Sequence, residues 1–337
     1  MTSSEISALF RRFSTIRVGV IGDFALDLYF TLQTQTGEQS LETGRDVFWG
    51  SQPRASLGAA GNVVQNLMAL GVSTCHVAGC VGNDLFGREM QNLFGALGVH
   101  TQQLHVPDSG WDTCVYTKPN LNGQEANRID FGIANTLSDT LFTDLMAGLE
   151  RLLTQLDVLI INQQFANPLL NKHRITALNE LMARFPKVRF LADMRDVGTL
   201  VRGATLKVNT KELADFLAID APDSDDLDWC IRHGNAFRAQ SKGPLLITRG
   251  PAGILYLDDD EQQLVDGLTL PGELDTVGAG DTVVATWAAC LGAGATPAQA
   301  LHIANMAAAV TVQKLHQTGT ASLSEILALH DTYHSND

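Results

Sequence analysis

Residues 142–161, FTDLMAGLERLLTQLDVLII, carry the reading that decides the fold. Phe142, Leu145, Leu149, Leu152 and Leu156 recur at steps of three and four, which places them along one face of a helix. After Asp157 the pattern gives way to the unbroken apolar run Val158–Ile161, as expected of a strand covered on both faces. The alternation extends in both directions. Strand-like runs occur at Val18–Gly22, Ser73–Ala78, Val188–Ala192, Leu206–Val208, Leu245–Thr248 and Gly253–Leu257. A second helical period joins Leu301, Ala304, Ala308, Val312 and Leu315. Strand–helix–strand repetition implies right-handed crossovers and an α/β fold: a three-layer, mainly parallel sheet with helices on both faces.

Two polar, β-rich stretches break the rhythm, at about 27–56 and 101–132. In the second, Asn120–Gly123 offers hairpin chemistry. They are expected to form a small β-sheet lid inserted into a single domain spanning 1–337. Such a sheet leaves an open face and edges, so it closes over a ligand or pairs with another copy, and a homodimer through the lid is expected. Asp223–Asp228 reads as the acidic first turn of a helix, Asp258–Glu261 as a hairpin tip, and His330 with His334 as part of a frayed polar tail.

Composition narrows the function classes. Hydrophobic residues at 45% and charged residues at 18% exclude a disordered chain. A net charge of −14 repels polyanions and anionic lipid, which argues against nucleic acid or a membrane as partner. A small phosphorylated ligand remains compatible, because helix N-termini bind phosphate locally. Five cysteines without a C-x-x-C pair give neither a disulfide framework nor a zinc site, and suit a reducing compartment. Residues 1–13 interleave charge with apolar side chains, as a short amphipathic helix does and a secretory signal does not. A cytoplasmic protein is expected. Walker-type, G-x-G-x-x-G, H-E-x-x-H and G-x-S-x-G signatures are all missing, which removes P-loop, dinucleotide, zincin and α/β-hydrolase readings.

What remains is Asp275-Thr276-Val277-Gly278-Ala279-Gly280-Asp281, followed by the Ala-rich run Thr282–Leu291. Small residues let backbone amides converge, and a helix starting there aims free N–H groups at whatever lies before it. That makes an anion hole from Gly278, Ala279 and Gly280, with Asp281 placed to accept a proton from a hydroxyl. A Gly-rich turn with a capping Asp is the structural alternative.

This stretch resembles the C-terminal signature of the ribokinase-like (PfkB) carbohydrate kinases, and further matches follow in the same order over nearly the whole chain. Val20-Ile21-Gly22-Asp23 with Asp27 is similar to the first strand and its substrate-side acid. Gly58-Ala59-Ala60-Gly61-Asn62 resembles the N-terminal glycine motif, Asn209-Thr210-Lys211-Glu212 the N-x-x-E, and Thr248–Gly253 the T-x-G-x-x-G. Arg128–Phe131 and Ala304-Asn305 through Lys314 look most like the branch that phosphorylates heptose 7-phosphate for ADP-heptose synthesis.

The resemblance implies an ATP-dependent phosphotransferase acting on a sugar or sugar phosphate, with Asp281 as base. It implies Asn209 and Glu212 at a water-shelled Mg²⁺, Thr248, Gly250 and Gly253 at the nucleotide phosphates, and Asn305 near the ribose or adenine. Asp27, Gly58, Asn62, Lys118 and Arg128 would face the acceptor, and Asp275 a monovalent cation such as potassium. A helix capping box also explains Asn209–Glu212, and a buried packing role also explains Asn305. The sequence departs from the family's paired glycine at Ala59, and from the branch at Lys118, where Arg is usual, and at Gln164–Pro168, which replaces an Asp-Tyr-Ala-Lys-Gly stretch. The nucleotidyl-transferring part of bifunctional relatives is not expected here. A nucleoside kinase of this fold, or a non-catalytic sugar or nucleotide sensor, are the alternatives.

Overall fold

Each of the apolar runs named above contains a strand, and most of them have a helix on at least one side in sequence. The structure, a computed structural model, describes residues 1–222, 226–315 and 317–334. The chain begins with α1 (Ser3–Phe13), β1 (Arg17–Gly22), β2 (Phe24–Gln33), β3 (Trp49–Gly50), β4 (Arg54–Ala59), α2 (Ala60–Ala69) and β5 (Thr74–Cys80). It continues with α3 (Leu85–Ala96), β6 (His100–His105), β7 (Cys114–Leu121), β8 (Gln124–Glu125), β9 (Asp130–Phe131), α4 (Asp139–Leu153) and β10 (Val158–Gln163). Then come α5 (Ile175–Ala183), β11 (Arg189–Met194), β12 (Thr205–Asn209), α6 (Thr210–Leu217), α7 (Leu227–Ser241) and β13 (Leu245–Thr248). The last are β14 (Ile254–Leu257), β15 (Gln262–Val265), α8 (Ala279–Gly292), α9 (Pro297–Thr311) and α10 (Leu323–His334).

Nine strands form the main sheet in the order β15-β14-β13-β12-β11-β10-β1-β5-β6. Only β14 runs against the rest, because it pairs antiparallel with both β13 and β15. Both faces are covered. Val158 and Ile160 pack with α1, α2, α8 and α9, while Leu159 and Ile161, pointing the other way, pack with α4, α5 and α7. This is why β10 carries no polar alternation. At the N-terminus Thr2 and Glu5 form a capping box, so α1 buries Ile6, Leu9, Phe10 and Phe13 on one stripe.

The second sheet has six strands built around β2, which continues from β1 across Asp23. On one side β4 pairs antiparallel with it, and on the other β7 pairs parallel. This register aligns Asp27 with Ser56 and Tyr116, and Tyr29 with Arg54 and Lys118, all on one face. The second contribution to this sheet starts at Cys114 rather than at 101. His100–His105, whose His-Thr-Gln-Gln-Leu-His pattern reads as part of an insertion, is instead the half-exposed edge strand of the main sheet, parallel to β5.

Two other expectations shift. The period expected to reach Leu315 ends at Thr311, where the Val312 carbonyl turns to accept the Asp275 amide. His330 is not in a frayed tail: it is buried in α10, with its ring nitrogens against Ser3 Oγ and the Met1 carbonyl. Asp226 caps α7 and Asp228 lies in its first turn, whereas 223–225 lie outside the described residues. Asp258–Glu261 forms the β14–β15 hairpin tip.

Candidate active site

The site lies at the carboxyl ends of β11 and β12, below the start of α8. Gly278 caps α8 with φ 81°, a left-handed conformation that suits glycine. A Cβ there would lie 2.9 Å from Asn62 Nδ2 and 3.1 Å from Thr318 Cγ2. The turn is tight enough that the Ala279 amide donates to the Thr276 carbonyl at 3.2 Å. Ala279 is therefore not the free donor expected of it. Among the described residues no protein acceptor takes the amides of Gly278, Gly280 and Asp281. These three open amides lie at the positive end of the helix dipole, where an anion is favoured.

Asp281 projects from the first turn of α8. Asn62, buried in α2, donates Nδ2 to Asp281 Oδ2 at 2.7 Å. Asn62 is fixed in turn: Asn66 Nδ2 donates to its Oδ1, Thr282 Oγ1 donates to Asn66 Oδ1, and Thr311 pairs with Thr282. This buried chain sets the orientation of the carboxyl. Lys207, on β12, stands beneath Gly280, where an added Cβ would be 3.3 Å from Nζ. Its ammonium is buried and lies 3.2 Å from Asp193 Oδ1 and 3.8 Å from Glu212 Oε2. Burial pulls the ammonium down, but Asp193, Glu212 and Asp281 outweigh it and raise its value. Asp281 is pushed up to about 7, first by burial and then by the charge of Asp193, with Asn62 and Lys207 acting in the opposite sense. A carboxyl titrating there can exchange a proton at neutral pH.

Asp27, Gly58 and Lys118, expected to face the acceptor, lie on one face of the second sheet. Asp27 is buried, its Oδ2 accepting from Lys118 Nζ at 3.0 Å and from Thr318 Oγ1 at 2.9 Å. Tyr29 hydroxyl pairs with Thr318 at 2.7 Å and accepts from Lys118 at 3.3 Å. Gly58 is required beside it, since a Cβ would come within 2.9 Å of Asp27 Oδ1. Burial lowers Lys118, but Asp27 and Tyr29 more than restore it, so it stays charged as the partner of Asp27. Arg128 stacks 4.7 Å from the Tyr116 ring and bridges Asp130, and Arg54 lies 4.9 Å over Tyr29. A cavity of about 750 Å³ opens between this face and Asp275–Val277, lined by Tyr29, Arg54, Lys118 and Asn120.

Asn209 and Glu212, expected near the nucleotide, form the complete capping box of α6: Asn209 Oδ1 takes the Glu212 amide and Glu212 Oε2 the Asn209 amide, both at 2.8 Å. The structural alternative is thus present, and it leaves Glu212 Oε1 for a ligand. That fits a magnesium ion that keeps its waters and meets the protein through one of them. Among the described residues no group of three or more His, Cys, Asp or Glu side chains could hold a metal by itself. Thr248 ends β13 opposite Asn209, with Oγ1 3.4 Å from the Val208 carbonyl. Gly250 and Gly253 flank the following turn with φ 58° and 94°. Asn305 is buried and donates Nδ2 to the Asp266 carbonyl at 2.9 Å, as its alternative packing role requires. Asp275 Oδ1 accepts the Val277 amide at 3.0 Å, and a cation there would share that carboxylate.

The model of the pfkB family carbohydrate kinases matches residues 50–324, most of the chain. The chain belongs to this family. A bifunctional protein HldE from Paramagnetospirillum magneticum is 31% identical over 97% of this chain, and one from Shewanella denitrificans 30% identical over 88%. The chain spans 66% and 60% of the length of those two relatives. Phosphofructokinase-2 from Escherichia coli, solved with potassium, superposes with a TM-score of 0.75 at 16% identity, covering 95% of this chain and 99% of that one. Ribokinase from Thermotoga maritima gives 0.67 at 19% identity, covering 94% and 99%. These two likenesses establish a ribokinase-like fold. Among the described residues no helix is long and apolar enough to cross a membrane.

Lys207, Asp193, Thr318 and Tyr29 touch or adjoin the residues singled out by the motifs but carry no motif themselves. One signal was available for Lys207: a lysine inside the otherwise apolar strand run Leu206–Val208 must be buried with a partner. Thr318 lies nearly three hundred residues from Asp27, and nothing local points to it.

Proposed function

We propose that the chain is an ATP-dependent kinase that transfers the γ-phosphoryl group to a hydroxyl of a sugar or sugar phosphate. The observation that carries this reading is the convergence of Asp281 with the open amides of Gly278, Gly280 and Asp281. The second sheet acts as the acceptor-side lid. Asp27, held by Lys118 and Thr318, accepts hydrogen bonds from acceptor hydroxyls, with Asn62 beside it. The reacting hydroxyl lies against Asp281, which takes its proton as the oxygen attacks phosphorus. The amides of α8, with Lys207 behind Gly280, offset charge on the transferring group. Glu212, through water, would hold Mg²⁺, which when bound neutralises phosphate charge.

Leu28, Phe30 and Leu32 alternate with Asp27 and Tyr29 on β2 and so form the other, apolar face of the lid. Nearby, Phe48 and Trp49 are 56% and 49% exposed. These favour a homodimer through that face, for which light scattering at assay concentration should give twice the chain mass. An ADP-release assay over sugars, sugar phosphates and nucleosides tests the main reading. Turnover with a sugar or sugar phosphate is expected. Turnover with nucleosides alone would reassign the acceptor, and none with any would leave a binding protein.

A further inference from the structure

The segment after β10, Gln164-Phe165-Ala166-Asn167-Pro168-Leu169, has no part in the chemistry above, yet it is bound to both sheets. Its anchor is Asp23, a fully buried carboxylate at the junction of β1 and β2. Asp23 Oδ2 accepts the amides of Gln164 at 2.8 Å and Phe165 at 2.9 Å, and Oδ1 accepts that of Leu169 at 2.8 Å. A buried carboxylate without a cation in contact is costly unless amides satisfy it, and here three do. Burial still pushes it up to about 6. At the other end Asn167 Nδ2 donates to the Ile133 carbonyl at 2.7 Å, two residues beyond β9. Between them Phe165 packs edge-on against Tyr116, with ring centroids 6.4 Å apart. Tyr116 is the register partner of Asp27 and carries Arg128 on its ring. One short segment therefore joins the end of β1, the acceptor face of the second sheet and the exit of that sheet.

We propose that residues 164–169 are a latch that sets the position of the second sheet over the acceptor, with Asp23 as anchor and Asn167 as hook. Both are positioning residues, and the proposal rests on reading the second sheet as the acceptor-side lid. Asn167 is exposed, so its replacement leaves the core intact. Hydrogen–deuterium exchange on the unliganded protein is the first test. In Asn167→Ala, exchange should quicken several-fold across 164–169 and 130–135 and stay unchanged in α8. Steady-state kinetics are the second test. The KM for the acceptor should rise about three- to tenfold, the scale of one lost hydrogen bond, with kcat and the KM for ATP within twofold. Asn167→Gln, which keeps the carboxamide donor, should recover part of the loss. Unchanged exchange at both segments, or a fall in kcat with the acceptor KM intact, would overturn the latch. Absence of turnover in the unmodified protein would overturn the kinase reading, while the exchange result would still decide the latch.

Discussion

Two carboxylates, buried Asp27 and half-buried Asp281, stand at opposite ends of the proposed site, and their surroundings differ. Asp27 has an ammonium in contact and a hydroxyl donor on the same oxygen. Asp281 has only a carboxamide in contact, and the nearest ammonium, Lys207, is already held by Asp193. The first arrangement pairs the carboxylate with a cation; the second leaves it without one in contact. A carboxylate meant to hold hydroxyls gains from a permanent charge, whereas one meant to accept a proton gains from a value near the working pH. On the proposed reading, this difference separates binding from chemistry within one cleft.

The sharpest way to break this contrast is to neutralise each acid in turn. Asp281→Asn should lower kcat about 10²–10⁴-fold while ATP affinity, measured by calorimetry, is retained. Asp27→Asn should act mainly on the acceptor KM, raising it about ten- to hundredfold, the scale of hydrogen bonds to a charged group. If both variants lost kcat alone, the division would fail. Asp281→Asn carries a stability signature as well. Its folded value, about 7, stands above the ordinary 3.8, so the native state binds the proton more tightly and loses stability as pH rises between those values. Removing the charge should therefore raise Tm at pH 8 and change it less near pH 4.

Lys207 tests the contrast from the opposite side. Lys207→Ala leaves Asp193 and Glu212 without their cation and Asp281 without its nearest positive charge. Breaking a buried ion cluster in this way should cost about 3–5 kcal/mol, read from urea unfolding. Exposed Lys211, paired with Asp215 on the adjacent helix, is the control: Lys211→Ala should change stability by less than about 1 kcal/mol.

Asp193 gives a gentler handle, because its charge is one of the terms that raise Asp281. In the unmodified protein kcat should climb with pH through about 7 as Asp281 deprotonates. Asp193→Asn removes a repelling charge and frees Lys207 to favour the Asp281 anion, so the midpoint should move to lower pH. A midpoint that stays put would mean another group controls the limb.

The sequence made the parallel core readable because burial on both faces leaves unbroken apolar strands, as at Val158–Ile161. Asp281 stands out through a Gly-rich turn that starts a helix, whereas Asn62 and Asp27 stand out only through the family resemblance. Lys207 and Thr318 were hidden for a physical reason. They act through contacts made by sheet register and by a distant loop, and neither leaves a local spacing. β6 reads as part of an insertion because an edge strand with one solvated face has the same polar alternation. The capping box at Asn209 shows a further limit: one set of atoms can satisfy a helix end and still leave an oxygen for a ligand, so local pattern does not choose between the two.

The smallest expected effect lies where the two ends join. Ala59 closes β4 and caps α2 with φ 51° and ψ −129°, a conformation that suits only glycine. The neighbouring Ala60 amide is tied to the Asp23 carbonyl at 3.0 Å, so the strand cannot relax without moving α2 and Asn62. Strain of this kind costs about 1–3 kcal/mol, whereas glycine costs up to about 1 kcal/mol in unfolded-state entropy. Ala59→Gly should therefore stabilise the fold by about 1 kcal/mol, read as a higher urea midpoint at unchanged slope. A methyl group at position 59 that serves only as strain would leave kcat unchanged in this variant. If kcat falls as stability rises, the strain is part of what holds Asn62 against Asp281, and the binding end and the chemical end are coupled through α2.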